Sequence, residues 1–489
     1  MTRPRSSLTL PALLATMSLL AGIMPNALAV GRGNPRTSLQ GTTGEDLWIA
    51  RYDGGLENDD RADAVATSID GSVVFVTGGS TVPPGNLDYR TIAYDAVTGA
   101  EIWNSTYDGI AGPGSLDSDE ATAMAVSPDG TTVFVTGNIR GEPTRNLDVA
   151  TVAYDAATGS ELWASRYGLK RDDGARALEV SADGSTVFVA GKSQSPTTGG
   201  DYATVAYDAA TGTKIWVDRY DGPNTGGDKA TALGVSPEGS AVFVTGESRG
   251  ATSHRDYTTV AYDPATGDRL WLRRFDGPDG LRDLARALEV SPDGSTVVIT
   301  GFSKRSSGVA DTDVATVALD ATTGDRLWSA LYGGAAGASD IGNAVDLSAD
   351  GSIVFVGGHR TDNRIYPNYV TLAYDATDGT RLWVRGYAGP GRRFDQINAI
   401  EASPTGTAVF VTGQSDGTAQ GYEYATVAYD GVSGTRLWAR RYTGQVSGGP
   451  NDVAFDLAVD PLGARVFVTG VSDGFPTSGD YATVAYGAT

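Results

Sequence analysis

The chain has 489 residues, among them 65 Gly, 8 Trp and no Cys, and 59 acidic against 37 basic side chains give a formal charge of −22. The lack of cysteine excludes a disulfide scaffold, a thiolate metal site, a Cys nucleophile and a lipid-modified N-terminal Cys. The charge argues against non-specific binding to nucleic acid or an anionic membrane, which needs clustered Lys and Arg, while 40% hydrophobic residues are ample for a folded core.

Arg3 and Arg5 precede an apolar run over residues 8–23, followed by Ala27 and Ala29 in the small-x-small arrangement that signal peptidase accepts. The run contains Pro11 and is shorter than the roughly 20 residues a membrane-spanning helix needs. The expectation is a signal peptide over 1–29, a short linker over 30–41 and one domain over 42–489. No Arg-Arg pair is present, which favours general secretion over twin-Arg export. Losing Arg3 and Arg5 with no acid would take the charge from −22 to −24. No second long apolar stretch follows, so the expected product is exported, carries no integral membrane segment and is a monomer.

Beyond the leader the chain repeats itself. Trp48, Trp103, Trp163, Trp216, Trp271, Trp328, Trp383 and Trp438 are spaced by 55, 60, 53, 55, 57, 55 and 55 residues, each in a Leu-Trp or Ile-Trp pair shortly after a Gly. One unit shows the elements. Residues 175–181 (ARALEVS) read as a short strand, 182–185 as a turn and 186–191 (TVFVAG) as a second strand. A polar loop over 192–200 leads to a third strand, DYATVAYD, and after the turn at Thr211-Gly212 residues 214–220 (KIWVDRY) form a fourth. Four antiparallel strands joined by tight turns are the build of a propeller blade.

The two ends are complementary. Residues 43–48 (TGEDLW) form a fourth strand with no third before it, and 483–486 (TVAY) form a third strand with nothing after it. Pairing them hides two exposed edges. The predicted fold is all-β: an eight-bladed propeller of four-stranded antiparallel blades, its ring closed by one N-terminal and three C-terminal strands.

Around each outer turn the pattern is A-x-D-x-x-T-G-x-x-x-W, as in 153–163 (AYDAATGSELW). Asp378 and Ser433 replace the Thr in two copies, and the eighth copy is split between the ends. This pattern resembles the tryptophan-docking motif of the quinoprotein (PQQ-dependent) alcohol dehydrogenase superfamily, whose propellers are also eight-bladed. The resemblance covers essentially all of the chain after the leader. The phrase at 127–137 (SPDGTTVFVTG) is also similar to repeats of bacterial surface-layer propellers. The resemblance implies that each indole packs flat on the Gly-containing turn of the adjacent blade, while Asp155 and its equivalents cap turn N–H groups and Thr158 does so more weakly.

In the family's dehydrogenases PQQ lies between a Trp floor and, in many members, a disulfide of adjacent cysteines, with Ca²⁺ and an Asp base. This chain departs on two points: it has no Cys, and all eight Trp belong to the docking pattern. Units of this length leave no long insertion for a catalytic cap. His254 and His359 are the two histidines, in different blades, and each reads as a solvated loop residue. No nucleophile elbow, zinc-protease helix or phosphate loop is present. No cofactor is therefore expected.

Two surfaces are candidate sites, both on the face where the first and third strands start. An Asp opens the innermost strand of every unit: Asp60, Asp119, Asp173, Asp228, Asp283, Asp340, Asp395 and Asp452. A second set, Asp88, Asp148, Asp201, Asp256, Asp313, Asn368, Glu423 and Asp480, opens the third strands. These rings could attract a cation such as Ca²⁺, or each Asp could cap backbone N–H groups at its own strand start, which eightfold repetition favours. The second candidate breaks the symmetry: Lys304, Arg305, His359, Arg360, Arg364, Arg392 and Arg393 in three successive units, with Tyr366 and Phe394 nearby. Such a basic cluster could hold an anionic ligand or a partner's carboxylates, or be ordinary surface charge balance. The first reading is an exported, non-enzymatic propeller that binds a protein or polymer through one face. The alternatives are a quinoprotein oxidoreductase using PQQ and Ca²⁺, and a metal-assisted hydrolase or lyase at the acidic mouth.

Overall fold

Blade 3 shows how the sequence becomes a sheet. Its strands are Asp173–Val180, Thr186–Ser195, Gly199–Asp208 and Lys214–Tyr220, paired antiparallel in chain order. Val, Phe, Tyr and Thr dominate them because β-branched and aromatic side chains suit a pleated, buried surface. The turns carry their own chemistry. Asp183 Oδ1 accepts from the Ser181 hydroxyl at 2.6 Å and from the Ser185 N–H at 3.0 Å, and Gly184 takes φ 73°. At the next turn Asp208 Oδ1 accepts from the Thr211 N–H at 2.9 Å and Gly212 takes φ 68°, a conformation that favours glycine. The second strand runs on to Ser195 and the third begins at Gly199, with Ser193 opposite Asp201, through a stretch that reads as a polar loop. Backbone pairing does not depend on side-chain hydropathy, so the ladder continues where the alternation stops.

In this computed structural model the described residues are 44–488 without 55–59, 83–84, 110–117, 142–145, 170, 196, 225, 251–253, 307–310, 335–336, 363–365, 392, 419–420, 445–450 and 474–478. The expected signal peptide and linker lie outside them. Gly41–Thr489 forms one compact unit. The described residues form eight four-stranded antiparallel sheets and no helix. Blades 1 to 7 span 61–107, 120–167, 173–220, 229–275, 283–332, 341–387 and 395–442. Blade 8 combines Val453–Val459, Arg465–Ser472 and Asp480–Gly487 with Asp46–Tyr52 from the other end of the chain. The eight-bladed propeller closed by its two ends is thus the observed fold.

The core is a set of layers between blades. One such layer joins Phe188, Tyr202 and Trp216 of blade 3 to Leu233, Val244 and Tyr262 of blade 4. Every tryptophan spans a junction. Its Nε1 donates to a backbone carbonyl of the following blade at 2.8–3.1 Å, from Trp48 to Ala96 round to Trp438 to Ala488. The indole covers the turn glycine there so closely that a Cβ on Gly159 would lie 2.5 Å from the Trp103 ring. Each buried indole contributes up to about 4–6 kcal/mol by area. Buried tyrosines add a second tie: the Tyr202 hydroxyl donates to Thr258 O at 3.0 Å and the Tyr369 hydroxyl to Ala425 O at 3.0 Å, each in the next blade.

One irregularity repeats eight times. The register of every innermost strand slips by one residue, at Asp63, Thr122, Arg176, Thr231, Arg286, Asn343, Asn398 and Phe455. A bulge bends the strand and re-aims the extra side chain.

Candidate functional site

The Asp that opens each innermost strand is buried, between 0% and 1% exposed. Asp60 accepts from the N–H groups of Gly54 and Thr81, each at 2.7 Å, with one oxygen apiece. Asp119, Asp173, Asp228, Asp340, Asp395 and Asp452 make the same bridge between the preceding loop and the end of the second strand. Asp283 keeps only the loop half, from the Gly277 N–H at 2.6 Å. This arrangement answers a backbone need that recurs with the blade.

Four members of the second set meet arginines of the outer strands. Arg51 pairs with Asp480 at 2.7 Å, Arg219 with Asp201 at 2.6 Å, Arg274 with Asp256 at 3.2 Å and Arg441 with Glu423 at 2.6 Å. Arg51, Arg274 and Arg441 also donate to a tyrosine hydroxyl of the preceding blade: Tyr442, Tyr220 and Tyr387. In blade 6 the outer strand has Gly386 at this place, and Arg360 comes in from the second strand to donate to Tyr332 at 3.0 Å. The brace survives although its residue has moved.

Three junctions bring three carboxylates within 4.8 Å of one another: Asp53, Asp60 and Asp480; Asp88, Asp108 and Asp119; Asp256, Asp276 and Asp283. Asp53, Asp108 and Asp276 were not singled out from sequence; their signal is the Tyr-Asp-Gly or Phe-Asp-Gly that ends four outer strands. Burial first, and then Asp276 and Asp256, push Asp283 up to about 6 against the backbone bond from Gly277.

The basic candidates divide. Arg364 and Arg392 lie outside the described residues, and Arg393 is exposed. Arg305 pairs with Asp313 at 3.3 Å, and Arg360 is the brace to Tyr332. His359 stands within Ile353–Asp362, 8% exposed, and not in a solvated loop. Its ring lies 6.3 Å from that of Phe394, and burial first, then Arg286, lower its pKa to about 4. His254 is exposed.

Lys304 alone of this group lines a cleft of about 890 Å³ at the strand-start mouth of the central channel, between blades 4 and 7. Its other cations are Lys229, Arg282 and Arg286. Glu247, 1% exposed, is shared by Lys229 at 3.1 Å, Arg255 at 2.8 Å and Arg282 at 3.2 Å. Burial would raise its pKa, but Arg255 and Lys229 outweigh that and hold it below the usual glutamate value. Arg286 is a bulge residue; it donates to Asn343 Oδ1 at 2.9 Å and stands 6.0 Å from the Phe302 ring centre. Burial, then repulsion from Arg282, lowers its pKa against the pull of Tyr257. The bulge residues Thr231, Asn343 and Asn398 complete the wall and bridge to carbonyls of Ala285, Ile397 and Ala454 in the following blades at 2.7–3.0 Å. Sequence reading missed Lys229, Arg282 and Arg286 because they belong to no repeated pattern and the bulge that frees Arg286 leaves no mark on the sequence.

The opposite end of the channel is acidic. Glu179, Glu289, Asp346 and Glu401 occupy one position on four innermost strands. Asp346 accepts from the Ala402 N–H at 2.6 Å and Glu401 from the Val459 N–H at 3.2 Å.

The residues present do not fit PQQ. Each indole is 5–9% exposed and tied to the next blade, leaving no stacking floor, and the chain has no Cys.

A family model described as outer membrane protein assembly factor BamB matches residues 148–391, just under half of the chain. No curated protein matches the sequence. The structure is similar to Chaetomium thermophilum Sqt1 bound to the N-terminus of the ribosomal protein L10, with TM-score 0.57, 15% identity and coverage of 91% of this chain and 100% of that one. It is also similar to quinohemoprotein alcohol dehydrogenase from Comamonas testosteroni, with TM-score 0.55, 14% identity and coverage of 91% and 76%. A Dos1 propeller gives TM-score 0.55 at 14% identity, covering 90% and 95%. At these identities the likeness is one of fold.

Proposed function

We propose that this chain, a PQQ-like eight-bladed propeller, is an exported, monomeric, non-enzymatic scaffold that binds a protein partner through its strand-start face. The observation that carries the reading is the cleft of about 890 Å³ at that mouth. The Trp, Asp and Arg–Tyr contacts recur with the blade and serve the fold, whereas the cleft occurs where four blades depart from the repeat. Concave sites that break a repeat are where solenoids and propellers carry recognition. Sqt1, with the same fold, is described as bound to the N-terminus of a ribosomal protein, and the matching family model as an assembly factor. The leader over 1–29 supports export.

Two measurements test the reading. Micromolar PQQ with Ca²⁺ should leave the absorbance of the folded protein and cofactor unchanged; a bound quinone that an alcohol reduces would overturn it. The secreted protein should begin at Val30 by N-terminal sequencing; retention of the full leader on a cytoplasmic product would remove the export claim.

A further inference from the structure

Charge is distributed unevenly along the channel. The frame carries −22 overall and its strand-start rim is ringed by aspartates, yet the cleft at that mouth is lined by Lys229, Arg282, Arg286 and Lys304. Among the described residues Glu247 is the carboxylate paired with these cations, and it is divided among Lys229, Arg255 and Arg282. Among the described residues no carboxylate pairs with Arg286 or Lys304. Arg286 meets a neutral amide oxygen and an aromatic face, with Arg282 as a repelling neighbour. An anion seated here would relieve repulsion between these cations and accept charge-assisted hydrogen bonds from them. The guanidinium of Arg286 is held by Asn343 and presents a planar fork suited to a carboxylate.

The shape narrows the class of anion. Leu284, Phe302 and Ile341 give the cleft an apolar wall between the cations, so a ligand with apolar and acidic groups together uses more of it than a bare phosphate does. A flat anionic membrane cannot follow a concave cleft to its apolar wall, whereas an extended peptide segment can. We infer that the cleft binds an acidic, partly apolar peptide segment of the partner, its carboxylates held by Arg286 and Lys304. This rests on the protein-scaffold reading and names the chemistry of its ligand.

The test is selection from a random peptide display library on the intact secreted protein, followed by titration of a synthetic copy of a selected peptide. Selected peptides should be rich in Asp and Glu interleaved with apolar residues. Arg286→Gln with Lys304→Gln should weaken binding roughly tenfold or more, while Lys304→Glu alone, at a half-buried strand end, should weaken it further than Lys304→Gln. Raising salt from about 50 to about 300 mM should weaken the wild type more than the double variant. Melting curves and near-ultraviolet circular dichroism of all variants should match the wild type. Neutral or basic peptides, or acidic ones that the folded double variant binds equally well, would overturn the inference and leave the scaffold reading standing. Inorganic phosphate or phosphatidylglycerol vesicles binding where no acidic peptide is selected would overturn it in favour of those ligands. Selection of no peptide, with uptake of PQQ, would overturn the scaffold reading itself.

Discussion

At the scale of single residues, the tryptophan–glycine contact is the most demanding feature. Gly159 combines φ 70° with the Trp103 ring against its Cα, so any side chain there meets both backbone strain and a filled space. Gly159→Ala should destabilise by more than about 1 kcal/mol, and Trp103→Ala by about 3–5 kcal/mol, read from urea melts. Asp276→Asn tests the carboxylate clusters. Asp276 is exposed, so relief of its repulsion on Asp283 is worth no more than about 1 kcal/mol; in EDTA the variant should melt slightly above the wild type. A lower melting point in Ca²⁺, absent in EDTA, would show instead that the third carboxylate serves a bound cation. The tryptophans were legible in the sequence because their spacing and flanking turn repeat eight times. The cations of the cleft were not: Lys229, Arg282 and Arg286 belong to no repeated pattern, and nothing in the linear sequence marks the bulge that frees Arg286 from the ladder.

At the scale of strands, two devices explain how a regular sheet yields an irregular site. The bulge frees one residue per innermost strand from the ladder, so the same backbone presents Thr231, Arg286, Asn343 or Phe455 toward the axis. The ARALEVS phrase announces a strand, but a bulge within it leaves no mark on hydropathy, so which residue it frees could not be read. The arginine–tyrosine brace shows the opposite economy, a contact conserved in space while its residue moves. Arg360→Ala should cost about 1.5–3 kcal/mol, the usual loss of hydrogen bonds to a charged group. Gly386→Arg in that background should restore part of the loss, since Gly386 lies beside the Arg360 guanidinium. No rescue in a chemical melt would mean that Arg360 acts through packing instead.

At the scale of the whole molecule, the acids of the innermost strands and those of the turns set the pH dependence. Burial pushes Glu179 up to about 7 and Asp456 to about 6, and holds Glu289 and Glu401 well above the usual glutamate value, with neighbouring carboxylates adding to the latter two. These groups bind protons more tightly folded than unfolded. The stability they contribute is full below about pH 4 and is lost as pH rises through about 6–7. Glu179 stands exposed on its strand, so its share is small. The turn aspartates run the other way. Asp70 and Asp350, held down to about 2 by serine hydroxyls and N–H groups, stabilise above about pH 4 and fail as pH falls toward 2. The melting temperature should therefore climb by about 3–5 °C from pH 8 to pH 5 and drop again below pH ~4. A flat profile by calorimetry would mean that the channel acids are ionised and solvated throughout.

The closing sheet has a kinetic meaning of its own. Asp46–Tyr52 pairs with Asp480–Gly487, so blade 8 needs both ends of the chain at once, and Trp438 docks on Gly44 across the same seam. The other seven blades are each built from neighbouring sequence and can form as the chain emerges. Closing a loop of such length costs only a few kcal/mol more than closing a short one, but it comes last, because pairings between distant segments are slow. Until then the growing stack has two open edges, and a chain emerging from the ribosome shows the first of them long before its partner arrives. The seam is therefore both the final commitment in assembly and the natural place for the ring to begin to open.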